Sequence, residues 1–197
     1  MQYQAVVFDM DGVIFDTERL VIEFWKEVAK KHNIPNVEHT CIQCLGTNRV
    51  RTREIFLENY GADFPYDPYR AEVTELFNTH YKGVPLPTKP GVRELLSYLQ
   101  EQDIKVGLAS STAQHLVRDE IGTAGLLPYF QTLVCGDMVE HSKPAPDIFL
   151  KACEILNADP TKSIAIEDSF NGIRSAHCAG MTPIMVPDQV QPTDEIR

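Results

Sequence analysis

The sequence runs to 197 residues, 43% of them hydrophobic, with a formal net charge of −10 and a pI of about 5.0. That length suits one globular core, alone or with a smaller insertion, and such a core needs no metal or disulfide staples. The acidic balance disfavours nucleic acid and anionic membrane surfaces as partners, while a small phosphorylated ligand stays open wherever a cation supplies local positive charge.

Five cysteines, Cys41, Cys44, Cys135, Cys153 and Cys178, make an odd count, and three sit in apolar runs. They read as thiols of a reduced, cytoplasmic protein. No basic segment leads into a long apolar run at the N-terminus, so neither a signal peptide nor a membrane span is expected. A monomer is the default expectation.

In chain order, residues 3–8 read as a short buried strand, stopped at once by Asp9. Residues 18–32 have helical spacing, with Leu20, Val21, Phe24, Val28 and Ala29 on one face. Residues 48–59 and 67–81 read as helices too, and Pro85, Pro87 and Pro90 mark a stiff return. Val92, Leu95, Leu96 and Leu99 recur at helical spacing before a strand over residues 104–109. Further short apolar runs at 132–135, 163–166 and 182–186 are rich in β-branched residues, as strands covered on both faces are. Ile148, Phe149, Ala152, Cys153 and Leu156 repeat as a helix, with Pro146 and Asp147 in its first turn. Strand and helix alternating in this way predict an α/β fold with a parallel, Rossmann-like sheet and right-handed crossovers. Residues 1–15 and 87–197 form the expected core. Residues 16–86 form an expected helical cap over one end of the sheet.

The chemistry-bearing residues fall just beyond the strands. Asp9 and Asp11 follow the first strand, Ser110 and Ser111 the second, and Glu167 and Asp168 the fourth, while Lys143 lies in the loop after the third. Ligands of open parallel sheets bind at that edge. Four carboxylates gathered there repel one another unless a cation joins them, and hard oxygen donors suit Mg²⁺. Lys143 and Ser110 are suited to hold phosphoryl oxygens. A carboxylate can attack phosphorus, and a second one two residues on can move a proton. Taken singly each feature has a plainer reading: Asp9 and Asp11 as turn residues, Ser110, Ser111 or Thr112 as the cap of the next helix, and Lys143 as a solvated loop lysine. His39, Cys41 and Cys44 hint at metal spacing but lack a second ligand pair.

Asp9-Met10-Asp11-Gly12, Ala109-Ser110, Ser142-Lys143-Pro144 and Ile166-Glu167-Asp168-Ser169 resemble the four ordered motifs of the haloacid dehalogenase superfamily. Phe170-Asn171-Gly172-Ile173 through Ala179-Gly180-Met181 extends the last motif in the manner of its phosphatase branch. The resemblance implies Asp9 as nucleophile, Asp11 as general acid and base, and Ser110 and Lys143 as phosphoryl-orienting groups. It implies Mg²⁺ held by Asp9, the Asp11 backbone carbonyl and Asp168, with Glu167 helping directly or through water. Asp11-Gly12-Val13-Ile14-Phe15-Asp16-Thr17 and Leu108-Ala109-Ser110-Ser111 are similar to the β-phosphoglucomutase-like group. Mutases of that group carry a His where this chain has Val21, so the reading is a phosphatase of a small phosphate monoester, first a sugar phosphate, with a sugar-phosphate mutase as the alternative. Gly46-Thr47-Asn48-Arg49 resembles the cap loop that meets substrate, which makes Arg49 a candidate contact alongside Ser110, Ser111 and Lys143. Relatives continue with one more helix past residue 197. A signalling receiver shares Asp, Ser/Thr, Lys and Mg²⁺, but places its reactive Asp on a later strand and lacks a cap.

Overall fold

The computed structural model describes residues 3–196. Its centre is a parallel sheet of five strands, β1 (Ala5–Phe8), β2 (Lys105–Ser110), β3 (Thr132–Cys135), β4 (Ser163–Glu167) and β5 (Thr182–Met185), in the order β3-β2-β1-β4-β5. Every residue of β1 is buried, as a central strand covered on both faces requires. Alternation along it feeds two cores. Val6 and Phe8 pack with α5 (Val92–Glu101) and α6 (Gln114–Thr123), while Ala5 and Val7 pack with α7 (Asp147–Leu156) and α8 (Phe170–Cys178). Phe8 lies opposite Leu108 on one side and Ile166 on the other. Asp9, Ala109-Ser110 and Glu167-Asp168 therefore leave the sheet side by side, at the point where strand order reverses.

Between β1 and α5 the chain inserts four helices: α1 (Thr17–His32), α2 (Val37–Gln43), α3 (Arg49–Tyr60) and α4 (Tyr66–Tyr81). They share a separate apolar cluster in which Trp25 stacks on Phe56 at 4.4 Å and on Tyr66 at 5.9 Å. The two connections to the core run past each other. Phe15 bridges Thr88 in antiparallel fashion, Asp16 N donates to Pro87 O (3.0 Å), and Lys89 N donates to Ile14 O (2.8 Å). Lys89 Nζ also binds Asp188 and lies 3.8 Å from Asp16. Among the described residues, no helix is long and apolar enough to cross a membrane.

Several local expectations need correction. The first strand starts at Ala5, not residue 3. The second is shifted by one, because Ile104 N is taken by Leu99 O in closing α5 and the ladder begins at Lys105. The fourth strand extends to Glu167 and the fifth stops at Met185. Helix α2 occupies a segment that carried no predicted element; seven residues are too few to display a period. On α1 the buried apolar set is Leu20, Ile22, Trp25, Val28 and Ala29, with Val21 and Phe24 only partly covered, because the aromatic stack turns Trp25 inward. Neither Ser111 nor Thr112 caps α6. Ala113 holds that position, and the Asp137 carboxylate accepts from Gln114 N at 3.1 and 3.3 Å.

Candidate active site

Lys143 is the hub. It arrives from the loop after β3 and is 2% exposed, yet its ammonium group is fully partnered. Nζ donates to Asp9 Oδ1 (2.6 Å), Glu167 Oε1 (2.6 Å) and Ala109 O (3.0 Å), which uses all three protons. The Phe149 ring, 5.1 Å away, closes the pocket beneath it.

Glu167 is fully buried and both its oxygens are committed. Oε1 takes Lys143, and Oε2 accepts from Asp168 N, Ser169 N and Ser169 Oγ, each at 3.0 Å. Ser169 Oγ in turn accepts from Gly172 N at 3.0 Å and caps α8. Glycine at 172 is what allows α8 so close: a Cβ there would fall 1.8 Å from Glu167 Cδ. Glu167 thus acts as the anchor of both the lysine and the β4–α8 turn.

Asp168 is different. Its Oδ2 is buried with no hydrogen-bond partner among the described residues. It lies against Gly12, whose φ is +76° and whose Cβ, if present, would stand 2.2 Å from that oxygen. Carboxylate oxygens of Asp9, Glu167 and Asp168 lie within 4.8 Å of one another. Burial drives the Asp9 carboxyl up to about 8 despite Lys143. Burial likewise drives Asp168 up to about 10, with Glu167 and Asp9 adding repulsion. For Lys143 burial pulls downward, but Asp9 and Glu167 outweigh it and hold the ammonium above its ordinary range. Three buried carboxyls against one ammonium, with an orphaned oxygen among them, fit a hard divalent cation such as Mg²⁺.

Asp11 stands outside this cluster and is half-buried. Its Oδ1 accepts from Thr17 Oγ1 (2.6 Å) and its Oδ2 from Thr112 Oγ1 (3.0 Å). These two threonines, of which the sequence marked one only as part of the Asp11–Thr17 motif and the other only as a possible helix cap, form a clamp around Asp11. Ser110 is fully buried, and its Oγ accepts from Thr112 N at 3.1 Å. Ser111 Oγ donates instead to Gly46 O (3.2 Å), and Asn171 Nδ2 donates to Leu45 O (3.1 Å), so the loop before α3 is tied to the core at two points. Arg49 begins α3 on an exposed position and lines neither cavity of the site. Glu18, in the first turn of α1, was also missed as a site neighbour. Burial, then Asp11 and Asp9, push its carboxyl well above the usual range. His39 bonds Gln43, and Cys44 Sγ donates to Thr40 O.

Two cavities flank the centre. One of about 520 Å³ reaches Lys143 and is bordered by Gln43, Asn48, Arg51, His141 and Asn171. The other, of about 350 Å³, has Asp11, Thr17 and Thr112 on its wall and lies under α4 and α6.

The model of the haloacid dehalogenase-like hydrolases matches residues 6–186. The phosphorylated carbohydrates phosphatase of Thermotoga maritima is 34% identical over 181 residues, covering 92% of this chain and 83% of that protein. The β-phosphoglucomutase of Bacillus subtilis is 35% identical over 193 residues, covering 93% and 83%. Among solved structures, CbbY from Rhodobacter sphaeroides in complex with phosphate superposes with a TM-score of 0.76 at 26% identity, covering 94% of this chain and 87% of that one. A parallel sheet that delivers Asp9, Ser110, Lys143 and Asp168 to one edge, an inserted helical cap and a family match over nearly the whole sequence all agree: the chain belongs to the haloacid dehalogenase-like hydrolases.

Proposed function

We propose that this protein is an Mg²⁺-dependent phosphatase acting on a small phosphate monoester, first a sugar phosphate, through an aspartyl-phosphate on Asp9. The observation that carries the reading is the buried Lys143 held at 2.6 Å from both Asp9 and Glu167, beside an unpartnered Asp168 oxygen. Phosphatases of phosphorylated carbohydrates and of fructose-1-phosphate among the relatives support the substrate class.

In this reading an Asp9 oxygen attacks phosphorus and forms a new O–P bond. The bond from phosphorus to the leaving oxygen breaks, and Asp11 gives that oxygen its proton. The Asp11 carboxylate then takes a proton from water, the water oxygen bonds to phosphorus, and the Asp9 O–P bond breaks to free inorganic phosphate. The Lys143 charge attracts the phosphoryl oxygens and the Ser110 hydroxyl donates to one of them. Asp168, Asp9 and the Asp11 carbonyl hold the Mg²⁺, which when bound neutralises charge on those oxygens. Residues 16–86 act as a cap over the core of 1–15 and 87–197, and the cap excludes bulk water during turnover.

The mutase relative keeps a second reading in view. Against it stands Val21, an aliphatic residue that borders the Asp11 cavity and has no proton to transfer. Incubation with a panel of phosphate esters and Mg²⁺ tests both. Steady phosphate release that Asp9→Asn abolishes is expected; isomerised sugar phosphate without phosphate release would favour the mutase. No turnover of any ester would defeat the proposal.

A further inference from the structure

The two cavities open onto different members of the centre. Lys143 borders the larger and Asp11 the smaller. A general acid must reach the oxygen it protonates, within about 2.6–3.2 Å or through one water. If Asp11 is that acid, the leaving group sits in the smaller cavity and not in the wider cleft.

At about 350 Å³ this cavity is near the small end of ligand sites, which commonly span roughly 300–1,000 Å³. It suits a monosaccharide-sized group better than a nucleotide. Its lining mixes apolar surface (Val21, Phe77, Leu116) with cations and carboxyls from both bodies of the protein. From the cap, α4 supplies Arg70, which is half-buried and forms no ion pair among the described residues; its hydrogen bond goes to Thr74 Oγ1, one turn along the same helix (2.9 Å). From the core, α6 supplies Glu120, whose Oε2 is buried with no hydrogen-bond partner among the described residues. A buried acceptor left unmatched on the wall of a cavity is costly unless a ligand completes it, and Arg70, held by one neutral hydroxyl, keeps further N–H groups for the same ligand.

We propose that Arg70 and Glu120 are specificity residues that bind hydroxyl groups of a neutral polyol or sugar leaving group in the cavity over Asp11. The inference rests on the phosphatase reading and names which part of the site reads the substrate. A second phosphate or a carboxylate on the leaving group fits less well. Asp11, Asp119 and Glu120 all line this space, against Arg70 and Lys82. With Glu120 largely neutral, Arg70 and Lys82 are matched by Asp11 and Asp119 and offer no surplus of positive charge to an added anion, whereas hydroxyls can donate to a carboxyl and accept from a guanidinium. Burial also pushes Glu120 up to about 8, with Asp11 and Asp119 adding, so its carboxyl can donate as well as accept. The apolar wall meets the C–H face of such a group.

The test compares kcat/KM for a hexose monophosphate, a hexitol monophosphate, phosphoglycolate, a hexose bisphosphate and p-nitrophenyl phosphate, in the wild type, Arg70→Met and Glu120→Leu. The wild type is expected to prefer the two neutral polyol phosphates. The ratio of their kcat/KM to that of p-nitrophenyl phosphate is expected to fall about tenfold or more in each variant. That ratio does not depend on the fraction of the sample that is folded. An unchanged ratio in either variant overturns the assignment. A wild-type preference for phosphoglycolate or the bisphosphate that Arg70→Met removes overturns it too, in favour of an anion site. If Mg²⁺-dependent hydrolysis of p-nitrophenyl phosphate persists, the phosphatase reading survives either result. If no ester at all is hydrolysed, that reading falls and this one falls with it.

Discussion

Gly172→Ala sets two effects of opposite sign against each other. Within a helix, alanine is favoured over glycine by roughly 1 kcal/mol, so α8 taken alone gains. The new methyl, however, would lie 1.8 Å from Glu167 Cδ and Oε1. Glu167 can retreat only by giving up Lys143 and three bonds to Oε2, and breaking a buried ion pair costs about 3–5 kcal/mol. Moving α8 instead loses the Ser169 cap, about 1 kcal/mol, together with the packing of buried Ile173 and Ala176. The net expectation is destabilisation of roughly 2–4 kcal/mol, or a Tm lower by roughly 5–15 °C in a chain of this size. Urea and thermal unfolding measure the loss, and Mg²⁺-dependent ester hydrolysis should drop with it because Lys143 loses its anchor. Gly122→Ala on α6 is the control, since nothing lies within 4 Å of its added Cβ. It should be neutral or gain up to about 1 kcal/mol. A Gly172→Ala protein that melts at or above the wild type with full turnover would refute the packing argument.

The metal reading yields a pH dependence. In the metal-free protein Asp9 and Asp168 are raised to about 8 and about 10, above their unfolded values. The folded state therefore holds extra protons, and stability falls as pH rises from the ordinary carboxylate range towards 8 and beyond. Mg²⁺ needs the ionised forms and displaces those protons, so the rise in Tm on adding Mg²⁺ should grow from pH 6 to pH 9. An increment independent of pH would count against Asp9 and Asp168 as ligands. Asp137→Ala removes the carboxylate that accepts from the first N–H of α6 and should cost about 1 kcal/mol in chemical denaturation. A change indistinguishable from zero would mean that water replaces the cap.

The parallel core was legible because its strands are short apolar runs and three of them, β1, β2 and β4, end beside chemistry-bearing residues, an order that survives any slip of one residue in their bounds. Local hydrogen bonds moved those bounds: Ile104 reads as strand by composition but serves to close α5. The gathering of Asp9, Lys143 and Glu167 was readable as convergence at a sheet edge. The roles of the acids came only with the family resemblance, and the hydrogen-bond partners that separate Glu167 from Asp168 were not readable at all. Glu167 and Asp168 are sequence neighbours of the same type, and only the fold commits one to four partners and leaves an oxygen of the other with none. Asp137 escaped notice as the α6 cap because it lies 23 residues from the amide it serves. Arg70 and Glu120 sit on separate helices with no motif around them, and only tertiary packing puts them on one cavity.

Asp9 and Asp11 stand two residues apart in one motif, and what holds each suits a different task. Lys143 can only donate, and its positive charge favours the ionised form of Asp9 that the proposed nucleophile needs. Thr17 and Thr112 present hydroxyls, which donate to a carboxylate and can rotate to accept from a carboxylic acid. The threonine clamp therefore survives a change of proton on Asp11, which a general acid and base requires twice per turnover. Thr17→Val and Thr112→Val keep the side-chain shape and remove the hydroxyl. Each should lower kcat by about tenfold with a smaller change in KM, the size expected for one hydrogen bond to a charged group. Aryl phosphates, whose leaving oxygens need little protonation, should be affected less than alkyl phosphates. Equal losses on both ester types would mean that the threonines only support the fold, and that Asp11 is positioned by something else.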